Sequence, residues 1–111
     1  MKEKEMANSL ARMLEDLDTI SVKVATLNFV EFDDKPDYIV EARFPNSFGV
    51  HIYCHCWSGY SIWVENWIEL CGNISWYRWY GSWFEEYEKR VDYTLKEVFE
   101  ICKEVAETKF P

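Results

Sequence analysis

Glycine is scarce in this chain of 111 residues: there are four, and no two lie close together. A phosphate-cradling loop needs grouped glycines so that backbone amides can close on the anion, so that kind of nucleotide site is excluded. Positive charge is short too, with 12 Lys and Arg against 20 Asp and Glu, a net charge of −8. Nucleic-acid binding depends on clustered cations that displace counterions, so direct contact with nucleic acid is not expected. Long apolar runs are missing, and none approaches the ~20 residues of a membrane span. The first 18 residues, MKEKEMANSLARMLEDLD, carry charges where a secretion signal would have an apolar centre. Four cysteines without such a signal point to reduced thiols in a cytoplasm, that of a bacterial host if the gene is phage-borne.

What the chain has in excess is rings. Six Trp, seven Tyr and seven Phe make up 18% of it, more than a core of this size normally encloses at about 150–250 Å² per ring. Some of them should lie on the surface, where large apolar patches mark interaction sites. The acidic balance then favours a protein partner with a basic face, because complementary charge speeds encounter and fixes orientation. The plainer alternative is that the charge only keeps the protein soluble.

Periodicity predicts one α+β domain over residues 1–111: an N-terminal helix, an antiparallel meander of four to five strands, and a long C-terminal helix packed on one sheet face. Residues 2–18 place Met6, Leu10, Met13, Leu14 and Leu17 at helical spacing. Ile20, Val22 and Val24 then alternate with polar neighbours, and Leu27 and Phe29 continue in the opposite phase, which predicts a bulge near Ala25–Thr26 or a strand that switches partners. Asp33 to Asp37, containing Pro36, reads as a turn. Tyr38 to Phe44, Val50 to Trp57, Tyr60 to Leu70 and Ile74 to Tyr80 read as strands, with Gly72-Asn73 as a hairpin signal. Short turns favour a meander over parallel crossovers. Ser82 to Glu85 has the pattern of a capping box, and Phe84, Tyr87, Val91, Leu95, Val98, Cys102 and Val105 continue as a helical stripe to about Thr108.

The segment His51-Ile52-Tyr53-Cys54-His55-Cys56 contains both histidines and two of the four cysteines. On a strand His51 and His55 lie about 13 Å apart, too far to share one metal, and adjacent Cys and His point to opposite faces. Cys54 and Cys56 are about 6.6 Å apart on one face, so zinc would require Cys71 and Cys102 to converge on them. Buried, metal-free thiols are therefore expected, with no cofactor. A small hydrolase or zinc protein using His51, Cys54, His55 and Cys56 is the catalytic alternative. Pro36-Asp37 with Glu41-Ala42-Arg43 has the order of a restriction-type nuclease motif. However, its acids would lie about 13 Å apart along one strand, and Arg stands where that motif has Lys.

Alternation assigns Val50, Ile52, Cys54 and Cys56 to the helix-covered face, with Ile62 and Val64 beside them. The opposite face then presents Tyr53, Trp57, Trp63, Trp67, His51 and His55, with Glu41, Glu65 and Glu69 as carboxylates and Arg43 nearby. Tyr and Trp carry much of the energy of protein interfaces. The expected function is a non-enzymatic inhibitor that covers the basic surface of a nuclease or other nucleic-acid-handling protein, of the phage anti-defence (anti-CRISPR) or toxin-immunity kind. A secretion-type chaperone or adaptor gripping a peptide on the same face is the alternative. In the competing structural reading that face is closed by a helix, by residues 74–83, or by a second copy of the chain in a homodimer.

Overall fold

The computed structural model describes residues 2–27, 37–55, 58–78 and 90–108. Helix α1 (Lys2–Leu14) is followed by β1 (Ser21–Leu27), β2 (Asp37–Arg43), β3 (Phe48–His55), β4 (Gly59–Leu70), β5 (Asn73–Arg78) and helix α2 (Leu95–Glu107). The five strands form one sheet in chain order, antiparallel throughout and curved into a half-barrel. The class is α+β, with both helices packed on the same sheet face.

Helix α1 carries its apolar residues at i, i+3, i+4 and i+7 spacing, so Ala7, Leu10 and Leu14 fall on one stripe and are fully buried. It ends four residues earlier than the periodicity suggests. Asp16 N donates to Met13 O and Leu17 N to Leu14 O, a tightened last turn, and Leu17 still packs on the core. From the sheet, Val40, Ala42, Val50, Ile52, Ile62 and Val64 meet this stripe, each at most 2% exposed. From α2 come Val98, Cys102 and Val105, all fully buried. At about 1.5–3 kcal/mol for each large apolar side chain removed from water, this layer is the main source of stability.

Three expectations are corrected here. The pairing of β1 with β2 runs unbroken from Ser21↔Arg43 to Leu27↔Asp37, so there is no bulge at Ala25–Thr26. The tight turn between β4 and β5 is Cys71-Gly72, with φ of 53° and 82°, and Asn73 already pairs with Leu70. Positive φ at both central positions is the twist that a two-residue hairpin needs, and Gly72 adopts it without a Cβ penalty. Helix α2 begins after Thr94, so the expected helix does not run through residues 90–94. Tyr93 pairs backbone to backbone with Tyr60, at 2.8 and 3.0 Å, which takes its groups out of any helix. Val91, expected in the buried stripe, is 52% exposed. The capping box that forms is Thr94–Glu97: Thr94 Oγ1 accepts from Glu97 N, and Glu97 Oε1 accepts from Thr94 N, both at 3.1 Å. The expected box at Ser82–Glu85 and the turn residues Asp33 to Pro36 lie outside the described residues.

Candidate functional site

Register decides which side chains meet on the sheet face away from the helices. One row across the sheet is Lys23↔Glu41↔His51↔Trp63; the next is Ser21↔Arg43↔Gly49↔Glu65. Directly opposite neighbours are about 5 Å apart and diagonal ones about 7–8 Å, so His51 reaches Glu41 directly and Glu65 diagonally. Both contacts are made. Glu41 Oε1 lies 3.4 Å from His51 Nδ1, and Glu65 Oε2 lies 3.1 Å from Nε2, although off the direction of a hydrogen bond. The His51 side chain is 14% exposed and Glu65 16%. The carboxylates sit on opposite ring nitrogens, so the imidazole bridges two strands and is not placed as a co-ligand of a shared ion.

Trp76 of β5 pairs with Trp67, yet its ring crosses β4 and lies edge-on to His51, with centroids 4.3 Å apart. The crossing depends on Gly49. A Cβ there would come within 2.7 Å of Trp76 Cη2 and 2.9 Å of Ala42 O. The expectation that residues 74–83 close this face is thus met in part, by one ring. Trp67 is anchored: its Nε1 donates to Phe44 O (3.1 Å) and Phe48 O (3.0 Å), and the Arg43 guanidinium sits 5.3 Å above its ring. Tyr53 and Trp63 are half-buried and meet edge to face with centroids 6.2 Å apart. Burial raises the Tyr53 phenol above its ordinary value, and the charges of Glu65 and Glu41 add to this.

The alternation therefore assigns the faces correctly, but it misjudges their openness. No ring of the candidate set is fully exposed among the described residues; the exposed large apolar side chains are Ile20, Ile68, Ile74 and Val91. In the row Ile39↔Tyr53↔Ser61, Ile39 and Ser61 are 3% and 4% exposed. The open end of the face is the other one, where Lys23 and Glu69 are exposed. Glu41 and Glu65 do not form a free acidic rim but converge on His51. Trp57 and Cys56 lie outside the described residues. Two contributors to the face were not anticipated, Ser21 and Lys23, and Ile74 and Trp76 were expected only as part of a covering segment. The residue types of β1 and β5 were legible, but not the curvature that brings these strands toward each other.

Two of the three described thiols are buried. Cys54 is 2% exposed, and burial, aided by Glu3, pushes its thiol up to about 12. Cys102 is fully buried and its thiol is also driven up. Cys71 is exposed in the hairpin turn. His55 Nε2 lies 2.8 Å from Ser61 Oγ, the distance of a Ser–His pair, with the serine only 4% exposed. Among the described residues no three His, Cys, Asp or Glu side chains are placed to hold a metal ion. Nor is any helix among them long and apolar enough to cross a membrane.

No family model, curated protein or solved structure matches this chain. Its geometry has to carry the functional reading unaided.

Proposed function

We propose that the protein acts by binding, as an inhibitor that covers a basic surface of a nucleic-acid-handling enzyme, and that the curved sheet face away from the helices is the surface it uses. The observation that carries this reading is the meeting on that face of the half-buried rings Tyr53, Trp63 and Trp76 with the carboxylates Glu41, Glu65 and Glu69. Rings held in place by edge contacts lose little entropy when a partner covers them, which is why aromatic residues dominate interface energetics. The net charge of −8 steers a basic partner toward the protein, with Glu69 exposed at the open end of the face. The inward set of Glu41 and Glu65 makes His51 their first partner, so on this face steering falls to Glu69.

The test is affinity capture from bacterial lysate on immobilised protein. A basic partner is retained at low ionic strength and released as salt rises past physiological levels. Trp63→Ala weakens capture by about 2 kcal/mol, roughly 30-fold, while the fold is retained. Glu69→Lys slows association and flattens the salt dependence. Capture that is insensitive to both variants, each shown to be folded, overturns the reading.

A further inference from the structure

At the open end of the face, β1, β2 and β5 enclose a cavity of about 180 Å³ lined by Ser21, Lys23, Glu41, Arg43, Ile74 and Trp76. Sites for drug-sized ligands run to about 300–1,000 Å³, so this one takes a single functional group with a short apolar stem. Its charges are two cations and one anion, and the anion is engaged, since Glu41 faces His51. No ion pair joins Lys23 or Arg43 to a carboxylate among the described residues.

Arg43 is held in one orientation without using the groups that would bind a ligand. Its Nε donates to Ser21 Oγ at 2.7 Å, and its guanidinium carbon lies over the Trp67 ring, 5.3 Å from the centroid. Those contacts leave the two terminal nitrogens as a fork without a partner among the described residues. A guanidinium fork fixed from behind matches the two oxygens of a carboxylate, and the planar fit is what distinguishes Arg from Lys as an anion receptor. Lys23 adds a second, more mobile positive charge on the neighbouring row. Trp76 and Ile74 supply the apolar wall that a stem would pack against. Glu41 in the same wall disfavours a doubly charged group such as a phosphate monoester, whereas a carboxylate brings only one negative charge.

We propose that this cavity is a carboxylate-binding pocket, with Arg43 as the bidentate receptor, Lys23 as the supporting charge, and Trp76 with Ile74 as the wall for the stem. The carboxylate comes either from an Asp or Glu side chain of a bound polypeptide or from a small free acid. The inference stands independently of the basic partner proposed above, because it is tested on the isolated protein without any macromolecule.

The experiment follows the Arg43 Nε–H and Trp76 indole N–H signals by NMR while sodium acetate is added, against sodium chloride at equal ionic strength. The expected result is a saturable shift of both signals with acetate and none with chloride. A tripeptide capped at both ends with a central Glu reproduces the shift, and its Gln counterpart does not. Tighter binding of the Glu peptide than of acetate identifies a polypeptide source; the reverse order identifies a free acid. Arg43→Gln abolishes the saturable shift, and Lys23→Gln weakens acetate about tenfold, the scale of one charge-assisted contact. Lys23 is exposed on the sheet and its side chain makes no hydrogen bond or ion pair among the described residues, so this variant decides the matter even if Arg43→Gln unfolds. Equal shifts with acetate and chloride, or an unchanged acetate affinity in folded Lys23→Gln, overturn the proposal.

Discussion

Asn46, in the turn between β2 and β3, caps the far end of α2: its Nδ2 donates to Val105 O at 2.8 Å and to Thr108 O at 2.6 Å. Its Oδ1 accepts from Phe48 N at 3.0 Å, which fixes the amide's orientation and ties the helix end to the start of β3. The last carbonyls of a helix have no partner within it, and here a side chain 59 residues away in sequence provides one. Asn46→Ala is expected to lower stability by about 1–3 kcal/mol in urea titration, the range for leaving such groups unpaired. Asn46→Asp should cost at least as much, because a carboxylate has no hydrogen to donate and faces the negative end of the helix dipole. An Asp variant as stable as the native protein would show that the cap is unimportant.

Burial ranks the core substitutions differently from periodicity. Leu10 is fully buried, whereas Leu95, at the start of α2, is only half-buried. Leu10→Ala should therefore cost about 2–5 kcal/mol and Leu95→Ala clearly less. The reverse order in denaturant midpoints would mean that α2 docks differently.

The thiols should separate by reactivity. With its thiol at about 12, Cys54 is ionised in roughly one molecule in ten thousand at pH 8, and Cys102 is shut off by full burial. Cys71, exposed in its turn, should be alkylated in the native protein. Peptide mapping by mass spectrometry after brief iodoacetamide treatment checks this, with Cys54 and Cys102 labelled only on addition of denaturant.

Acid should loosen α2 at its start. The amide of Thr94, then its side chain, and then the charge of Arg90 favour ionised Glu97, so its carboxyl lies below the usual 4.5. A depressed carboxyl adds stability at pH values above its unfolded pKa, and this is lost as pH falls through the folded value. Glu97→Gln should lack that part of the acid limb while matching the native profile's shape above pH 5, as read from thermal unfolding at a series of pH values. Thr94→Ala should cost about 1 kcal/mol, as the loss of an N-cap.

Much of the architecture was legible because period and identity agree locally. Val50, Ile52 and Cys54 alternate with His51, Tyr53 and His55, and the structure buries the first set against the helices and turns the second away. The same alternation in β4 separates Ile62 and Val64 from Trp63 and Glu65. The start of α2 was misread because S/T-x-x-E occurs twice, at Ser82–Glu85 and at Thr94–Glu97. Only the long-range pairing of Tyr93 with Tyr60 excludes helix from the stretch just before Thr94.

The sequence by itself determined the elements, their order and the face to which each side chain of the middle strands belongs, since those follow from a period of two or 3.6 residues. Tertiary structure decided how the outer face is arranged. Sheet curvature brings Ser21 and Lys23 of β1 within reach of Ile74 and Trp76 of β5, turns Glu41 and Glu65 inward onto His51, and places Arg43 in the wall of the cavity between them. The physical reason is range: periodicity is a property of neighbours along one chain segment, whereas a pocket depends on twist accumulated across all five strands.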